Sequence, residues 1–323
     1  MSKVLADKIP SRGPVPIVFN TPVNLHSLKR SVVLPIPGDL TPLRLSVDGK
    51  SFTDYSRWQY TPEKPFQNDT TYRIIIKAGL RSMGGSVLNG REEIAFTTAR
   101  KPKVVSTNPR DGERKVHLYR TIEFVLDQEI SSACVKVISL REGTSVPGNT
   151  EVKQGSVVFR PAYSFLPNTW YKAVLQAESA HLESLDKYKI TFTTLDLGNK
   201  YWVDVKLGER HTATVYKGSK VVRRMPVSGG RPDSPTPLGC FYTQDRGHAF
   251  WSARFGEGAT YWVRLVGQVL IHSVPKDHRW KTKEEEHAKL GLPASHGCIR
   301  MDEKDAKWFF ENIPRGTMVI IHH

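Results

Sequence analysis

A cysteine and a histidine near the C-terminus have the residue types of a thiol nucleophile and its base. Cys298 lies in the segment Ser-His-Gly-Cys-Ile-Arg-Met at 295–301, and His272 precedes it behind the apolar run 269–271. A cysteine attacks carbonyls as the thiolate, and a free thiol with a pKa of about 8.5 is mostly protonated at neutral pH. A nearby imidazole can hold the thiolate as an ion pair or take its proton during attack. Cys298 and His272 are therefore candidate catalytic residues.

A glycine precedes the cysteine directly. Gly297 allows the backbone to turn with a positive φ, which other residues avoid. Such a turn can direct the N–H groups of His296, Gly297 and Cys298 to one point, where they would form an oxyanion hole. Each preorganised donor of this kind contributes roughly 10² to 10³ in rate. That is comparable to the roughly 10² to 10⁴ expected from a positioned acid or base.

The residues around Cys298 resemble the signature of the bacterial L,D-transpeptidases, the family with a YkuD-like catalytic domain. The resemblance extends from Tyr201 to Ile321. The other matching segments are Val-Ser-Gly-Gly at 227–230, Ser-Pro-Thr-Pro-Leu-Gly at 234–239, Gly-Leu-Pro-Ala at 291–294 and Asp-Ala-Lys-Trp-Phe at 305–309. Several ordered matches at sensible spacing indicate a whole domain of this type.

The resemblance implies a reaction. Cys298 would attack the carbonyl between the third residue of a peptidoglycan stem peptide and its terminal D-alanine, which leaves. An amine on a neighbouring stem would then take the acyl group and form a 3→3 cross-link, and carbapenems would be expected to acylate the same thiol. His272 would be the acid and base, oriented by the main-chain carbonyl of Ser273. Transfer to water instead would make the enzyme an L,D-carboxypeptidase that trims tetrapeptide to tripeptide.

The resemblance also assigns the remaining site residues. His296 and Gly297 would frame the oxyanion site, and Ser295, Tyr261 and Arg300 would contribute to substrate binding. For Arg300 two roles stay open, a contact to a substrate carboxylate and a brace for the loop. The histidines near the motif lack the paired spacing of zinc sites, so we expect no metal and no cofactor.

Two features depart from the family pattern. The segment 274–292 is longer than in many members, and Thr282 followed by Glu285 predicts a capping box and a short helix in a lid over the cleft. Cys240 stands where threonine or a similar residue is expected. We interpret Cys240 and Cys134 as small buried strand residues and expect three free thiols, because three cysteines do not make a disulfide framework.

The front of the chain contains an internal repeat. Pro, Phe, Thr and Tyr at 62, 66, 70 and 72 recur at 161, 165, 169 and 171, and the ending Phe-Thr-Thr at 96–98 recurs at 192–194. Short alternating runs, including 71–76 and 170–175, are typical of an immunoglobulin-like sandwich. The two copies resemble bacterial Ig-like domains of surface proteins, for which we favour a role as spacers over binding of wall polymers.

Composition limits the class of protein. With 323 residues, 39% hydrophobic content, 21 prolines and 24 glycines, the chain is globular and long enough for two or three domains. The net charge of +15 attracts polyanions. No recognition motif for nucleic acid accompanies it, so we expect no nucleic acid as partner. Anionic wall polymers fit the same charge, and the resemblance implies stem peptides as partners.

The location follows from the resembled substrate. The sequence has no run of 18 or more apolar residues, and Met1–Pro16 lacks the apolar core of a signal peptide. Since peptidoglycan lies outside the membrane, we expect an extracellular or wall-associated protein whose gene encodes an export signal or anchor beyond this sequence.

We therefore predict a mostly β fold. It consists of Ig-like domains at 14–100 and 101–196 and a β-rich L,D-transpeptidase catalytic domain at 199–322. One main helix after the Ser-His-Gly-Cys motif is expected to run from a cap at Asp302 to about Asn312. His322 and His323 are typical of a tag remnant, and we assign them no role.

Other classes fit less well. Sortases usually place their arginine well downstream of the cysteine, whereas here Cys298 and Arg300 are two apart. Papain-like peptidases place the cysteine before the histidine. A non-catalytic wall-binding module would be expected to have lost His272 or Cys298.

Overall fold

The computed structural model describes residues 3–4 and 8–323, so residues 1–2 and 5–7 of the Met1–Pro16 segment lie outside the described residues. This part of the chain is mostly β, as the sequence predicts, with 25 strands and three helices. No helix within it is long and apolar enough to cross a membrane. The strands form two successive β-sandwiches and one larger sheet.

The first sandwich, called the N-terminal module, has two sheets that share one core. Its elements are β1 (Lys3–Val4), β2 (Val15–Val18), α1 (Leu25–Ser31), β3 (Val32–Val33), β4 (Gly38–Val47), β5 (Lys50–Pro62), β6 (Thr71–Ile76) and β7 (Glu92–Thr97). The strand orders are β1-β2-β5-β4 and β3-β6-β7. Trp58 from one sheet and Ile74 from the other are buried in the same core. The sequence did not predict α1, whose first turn is capped by Asn24 through the Ser27 N–H at 3.0 Å.

The second sandwich, called the middle module, repeats this architecture. Its elements are β8 (Val104–Asn108), β9 (Glu113–Val116), β10 (Ile122–Leu126), β11 (Ile130–Ser139), β12 (Ser145–Val146), β13 (Gly148–Lys153), β14 (Ser156–Pro161), β15 (Trp170–Ser179) and β16 (Tyr188–Thr194). The strand orders are β13-β14-β10-β8 and β12-β11-β15-β16-β9. Phe124 and Phe159 from the first sheet pack with Leu175 and Ile190 from the second.

A triplet of aromatic rings has the same geometry in both modules. In the N-terminal module the first ring lies 4.8 Å from the second and 5.3 Å from the third, and the last two are 5.8 Å apart. The corresponding distances in the middle module are 4.7, 5.5 and 5.6 Å. The rings are Phe66, Tyr72 and Phe96 in one and Phe165, Tyr171 and Phe192 in the other. The repeat predicted from the sequence is therefore also a repeat of packing.

The last threonine of each Phe-Thr-Thr segment, Thr98 or Thr194, makes equivalent hydrogen bonds in the two modules. The Thr98 hydroxyl donates to the Gln67 carbonyl at 2.6 Å, and the Thr194 hydroxyl donates to the Leu166 carbonyl at 2.6 Å. Each of these hydroxyls also accepts a main-chain N–H from the loop before the alternating strand, at 3.0 and 3.1 Å. The recurrent Phe-Thr-Thr ending thus fastens that loop to the last strand of each sandwich.

The remaining elements, called the C-terminal domain, contain the chemistry predicted from the motif. They are β17 (Tyr201–Leu207), β18 (His211–Lys217), β19 (Lys220–Ser228), β20 (Gly239–Tyr242), β21 (Arg246–Ser252), β22 (Glu257–Val266), β23 (Val269–Ser273), α2 (Glu284–His287), β24 (Ile299–Met301), α3 (Glu303–Asn312) and β25 (Met318–His322). The strands form one nine-stranded sheet, in the order β20-β25-β17-β18-β19-β24-β23-β22-β21. Ala306 and Phe309 of α3 are buried in its core with Val263 and Ile271.

Several local predictions can be compared with these bounds. The Asp302 carboxylate caps α3 by accepting the Lys304 N–H at 2.9 Å, so the predicted main helix is confirmed. A tight turn after Lys217 joins β18 to β19. The apolar stretch from Tyr261 to His272 reads from its sequence as a single strand, but the chain turns at residues 267–268 and forms the antiparallel pair β22 and β23.

The lid helix is shorter than predicted and starts differently. The helix α2 has four residues, its N-cap is Lys283, and no side chain caps it. The capping box of Thr282 and Glu285 is therefore wrong. The start of the helix is held through the main chain, since the Lys283 N–H donates to the Pro275 carbonyl at 2.9 Å.

Both cysteines outside the motif are exposed, which corrects the interpretation of Cys134 and Cys240 as buried residues. On β11 the neighbours Val135 and Val137 point into the core, so the two-residue alternation directs Cys134 outward. Cys240 lies on β20, the edge strand of the nine-stranded sheet. All three thiols are free.

The C-terminal histidines are part of the fold, contrary to our expectation. His322 is 1% exposed, and its Nε2 lies 3.0 Å from the Asp204 carboxylate. Its ring stacks on Tyr119 of the middle module with centroids 4.3 Å apart. The Ser164 hydroxyl of that module donates to the same Asp204 carboxylate at 2.5 Å. The last strand of the chain therefore contacts the middle module directly.

Candidate active site

Two adjacent parallel strands position the motif. In β23 and β24 the register pairs Ile271 with Ile299 and His272 with Arg300. Both isoleucines are fully buried and anchor the strands in the core, while Cys298 immediately precedes β24. The apolar run before His272 and the isoleucine after Cys298 thus fix the relative position of the two chemical groups.

His272 and Cys298 line the same cavity, which has a volume of about 450 Å³. The Cys298 sulfur accepts the Leu270 N–H at 3.4 Å, and its thiol lies 3.5 Å from the Gln268 carbonyl oxygen. Leu270 and His272 are two residues apart on one strand and therefore share a face of the sheet. Both of these side chains line the cavity, and the thiol meets the same strand through its main chain.

The His272 ring is held in one tautomer. It is 5% exposed, and its Nδ1 lies 2.6 Å from the Ser273 carbonyl oxygen. Since a carbonyl can only accept, Nδ1 carries the proton in the neutral ring and Nε2 keeps its lone pair. Burial lowers the pKa of His272 to about 4, although the contact with Ser273 acts in the opposite direction.

The thiol is also uncharged in the resting state. Burial raises the pKa of Cys298, and the Leu270 hydrogen bond and the charge of Arg300 only partly offset this effect. A neutral thiol beside a neutral imidazole is a different resting state from an ion pair. Of the two modes that the residue types allow, this geometry favours proton transfer during attack.

Ser295 shapes the turn before the cysteine. Its buried hydroxyl donates to the Cys298 carbonyl at 2.5 Å and accepts the Gly297 N–H at 3.1 Å. Gly297 has φ +114°, a conformation that side-chain-bearing residues rarely adopt. Because its N–H is bonded to Ser295, the main-chain donors of His296 and Cys298 remain for an incoming oxyanion.

His296 contributes to the rim of the cavity. Its exposed ring stacks on Phe255 with centroids 4.5 Å apart and planes inclined by 15°. The rings of Phe250 and His272 are perpendicular, with centroids 5.4 Å apart. Further aromatic side chains, Trp251 and Trp262, line the same cavity. None of these aromatic residues was singled out from the sequence, since they come from β21, β22 and the loop between them.

Arg300 lies beneath the lid. It is 5% exposed, and its guanidinium contacts Glu286 of α2 at 2.5 Å and Glu257 of β22 at 3.2 Å. It also donates to the Ala294 carbonyl at 3.3 Å. Two carboxylates already balance its charge, so the geometry favours the bracing role. The sequence did not reveal Glu257 and Glu286 as its partners.

Tyr261 is not brought together with the motif residues. Its ring lies against Phe310 of α3, with centroids 5.9 Å apart, and near His248 at 6.4 Å. It packs against the core of the C-terminal domain. The predicted role of Tyr261 in substrate binding gains no support from this position.

A polar network supports Ser273 from behind. The Ser273 hydroxyl accepts the Thr260 N–H at 2.9 Å and donates to the Val274 carbonyl at 2.9 Å. The Thr260 hydroxyl lies 3.1 Å from Glu303, which pairs with the buried Lys276 at 2.9 Å. Within the described residues, no group of three or more His, Cys, Asp and Glu side chains could hold a metal ion.

Comparison with known families identifies two regions of the chain. Residues 200–321 match the YkuD model, described as the L,D-transpeptidase catalytic domain. Residues 99–194 match the model of a bacterial Ig-like domain. The first region contains the nine-stranded sheet with the motif, and the second contains the middle module.

Individual relatives agree with the first region. The chain is 43% identical over 133 residues to the putative L,D-transpeptidase YciB of Bacillus subtilis, which covers 39% of this chain and 68% of that protein. It is 33% identical over 122 residues to L,D-transpeptidase 1 of Mycobacterium tuberculosis, covering 34% of this chain and 45% of that protein.

A crystal structure of an L,D-transpeptidase from M. tuberculosis aligns with 68% of this chain and 98% of its own at 21% identity. Its TM-score of 0.33 is too low to carry the assignment. The family model and the B. subtilis relative do carry it. This chain belongs to the L,D-transpeptidase family, with a YkuD-type catalytic domain that follows a bacterial Ig-like domain.

Proposed function

We propose that the protein is a peptidoglycan L,D-transpeptidase with Cys298 as nucleophile and His272 as general base. One observation carries this proposal. Both side chains line a single cavity, and the Ser273 carbonyl at 2.6 Å orients the imidazole so that Nε2 is its proton acceptor. Family membership supplies the substrate class, the stem tetrapeptide of peptidoglycan.

The resting charges define the first step. As the sulfur bonds to the carbonyl carbon before the terminal D-alanine, Nε2 of His272 accepts the thiol proton. The carbonyl π electrons move to oxygen, where the main-chain N–H groups of His296 and Cys298 donate. When the tetrahedral intermediate collapses, the C–N bond breaks and the imidazolium returns the proton to the leaving amine. D-alanine departs and a thioester on Cys298 remains.

The second step reverses the first with a new amine. A side-chain amine of a neighbouring stem peptide enters the cavity, His272 takes its proton, and nitrogen attacks the thioester carbonyl. The C–S bond breaks, the sulfur is reprotonated by His272, and a 3→3 cross-link results. Water in place of the amine gives the tripeptide, which is the carboxypeptidase outcome.

The other motif residues support these steps through position. In this proposal Ser295 holds the turn through its two hydrogen bonds, and His296 and Cys298 provide the oxyanion donors. Arg300 braces the lid through Glu286 and Glu257. Thr260 and Glu303 keep the Ser273 main chain in place, so the imidazole keeps its orientation.

The front of the chain has a separate role in the proposal. We assign Ig-like domains to 14–100 and 101–196 and the catalytic domain to 199–322. The N-terminal module belongs with the middle module because the aromatic triplets and closing threonines coincide. We regard both as spacers that carry the catalytic domain within an extracellular or wall-associated setting, where anionic polymers would meet the net charge of +15.

Incubation with a disaccharide tetrapeptide tests the reaction, with products resolved by mass spectrometry. Released D-alanine together with a cross-linked dimer supports a transpeptidase, and tripeptide without dimer supports a carboxypeptidase. Cys298→Ala should abolish all products, while Cys240→Ala, which removes an exposed thiol on β20, should retain them. Product formation by Cys298→Ala would refute the nucleophile assignment.

Carbapenem exposure provides a second test. The strained lactam carbonyl should acylate Cys298 and raise the intact protein mass by one adduct. Digestion should place the adduct on the peptide that contains residue 298. An unchanged mass, or an adduct on Cys134 or Cys240, would contradict the proposed reactivity.

A further inference from the structure

Two exposed tryptophan side chains stand together at the edge of the cavity. Trp251 on β21 is 43% exposed and Trp280 in the lid is 45% exposed. Their ring centroids lie 6.1 Å apart, with planes inclined by 56°. Trp251 also lines the cavity that contains Cys298. An exposed apolar patch that continues into a cleft marks a site of ligand contact.

The backbone around Trp280 is constrained to present its ring. Trp280 has φ +61°, an outlier for a bulky residue that its surroundings must impose. The Asp277 carboxylate accepts the N–H groups of Arg279 at 2.8 Å and Lys281 at 2.9 Å. The Asp277 carbonyl also accepts the Trp280 N–H at 2.9 Å. A strained turn is thus maintained around a side chain that the core does not use.

Gly258 forms the floor beneath both rings. It is the cross-strand neighbour of Trp251, and it exchanges two main-chain hydrogen bonds with Lys276 at 3.0 and 2.8 Å. A Cβ at this position would lie 2.9 Å from Cε3 of Trp251 and 3.2 Å from Cη2 of Trp280. Glycine therefore lets the two rings lie against bare backbone. We call Trp251, Trp280 and Gly258 the tryptophan platform.

We propose that the tryptophan platform binds the N-acetylated sugar rings that carry the stem peptide, an inference that rests on the proposed function. The faces of aromatic rings have negative potential and pack well against the C–H face of a pyranose ring. The scissile carbonyl must reach Cys298 within the cavity, so the other end of a bound stem leaves at the rim. The platform is continuous with that cavity through Trp251. It would hold the glycan while the peptide enters.

Comparing two substrates tests this placement. For wild type, we expect a lower KM with disaccharide tetrapeptide than with the free tetrapeptide. Trp280→Gly should raise the KM for the disaccharide substrate by about three- to tenfold and remove this preference, with little change in kcat. Trp280→Tyr, which retains an aromatic face, should keep most of it. Trp170→Ala, which removes a tryptophan that is 39% exposed in the middle module, serves as the control and should leave both substrates unaffected.

The choice of glycine separates binding from folding. Glycine adopts a φ near +61° without strain, so Trp280→Gly should unfold at the same temperature as wild type or higher. Loss of the disaccharide preference in a variant of unchanged Tm supports the platform. An equal loss of kcat/KM for both substrates would overturn it, because the ring would then act on the peptide or on the lid alone.

A binding experiment without catalysis distinguishes failure of the platform from failure of the proposed function. Titration of Cys298→Ala with a peptide-free N-acetylglucosamine oligomer should give a saturable change in tryptophan fluorescence. Adding Trp251→Ala or Trp280→Gly should remove it. If the oligomer binds saturably while the wild-type protein is inactive on stem peptides, the platform is supported and the proposed function is refuted. Absence of binding in an active protein would overturn the platform, as would concentration-dependent dimerisation that Trp280→Gly abolishes.

Discussion

At the residue scale, burial sets the ionisation of His272, the base of the proposed reaction. Burial lowers its pKa to about 4, so the imidazole is neutral at pH 7 and can accept a proton. The same burial raises the pKa of Cys298, which keeps the thiol protonated. In the proposed mechanism, the thiolate therefore forms only as the bond to substrate forms. A protonated thiol is a weaker nucleophile than a thiolate, so we expect slow alkylation of the resting enzyme by simple reagents.

The dependence of kcat/KM on pH follows from this assignment. Protonation of His272 removes the base, so kcat/KM for acylation should fall only as the pH decreases toward about 4. Between pH 5.5 and 8 the profile should be nearly flat. Stopped-flow acylation by a chromogenic β-lactam would measure it. An acid limb centred near pH 6.5 would contradict the lowered pKa.

Stability should depend on the same residue. The pKa of His272 is about 4 in the folded protein against 6.5 for the free group, so the unfolded chain binds the proton more tightly between these values. Stability is therefore fully present above pH 6.5 and is lost as the pH falls toward 4, by about 3 kcal/mol at most. Denaturant unfolding of wild type and His272→Gln at pH 7.5 and 4.5 measures the difference. A loss equally large in the variant would assign the acid sensitivity to other groups.

At the element scale, the sequence predicts elements with local signals better than it predicts contacts that depend on long-range packing. The helix α3 and the alternating strand β6 could be predicted because cap residues and two-residue alternation are local signals. The position of β23 could be predicted because the apolar run 269–271 forms most of it, and β24 is the end of the motif. The partners of Arg300 come from β22 and from the lid, and only long-range packing brings them together.

The same distinction explains the errors. Thr282 and Glu285 satisfy a local capping pattern, yet main-chain bonds to β22 and Pro275 decide how the lid starts. Cys134 is in a strand-like run, and the inward positions of Val135 and Val137 would have indicated its exposure. Trp251 and Trp280 were missed because one lies on a strand and the other in a turn 29 positions later.

The lid should loosen when its ion pair with Arg300 is removed. Glu286→Gln keeps the shape of the side chain but removes the charge that faces Arg300 at 2.5 Å. Arg300 retains Glu257, so we expect destabilisation of about 1 to 3 kcal/mol rather than unfolding. Hydrogen exchange should accelerate across 274–292 and remain unchanged in α3. Glu285→Gln, on an exposed residue of the same helix, is the control, and equal exchange in both variants would refute the brace.

At the scale of the whole molecule, direct contacts join the N-terminal module, the middle module and the C-terminal domain. The Ser11 N–H and the Asn68 side chain of the N-terminal module donate to the buried Glu183 of the middle module, at 2.5 and 2.7 Å. The middle module in turn packs Leu118 against the C-terminal domain. These contacts connect the two modules to each other and to the C-terminal domain. A terminal residue such as His322 has no local signal of its role, since its partners Tyr119 and Asp204 are distant in sequence.

The apolar cluster at this last boundary should couple unfolding of the two parts. Leu118 is 1% exposed and packs with Trp202, Met318 and Ile320, which lie on the first and last strands of the C-terminal domain. Leu118→Ala removes buried apolar volume, and we expect a loss of about 2 to 4 kcal/mol. This stabilisation is lost at the contact between the middle module and the C-terminal domain, so the two parts should no longer unfold together. Calorimetry should show one transition in wild type and two separated transitions in the variant. Leu182→Ala, on a residue of the middle module that is 62% exposed, should leave the single transition unchanged. Two transitions in wild type would show instead that the cluster does not couple the two parts.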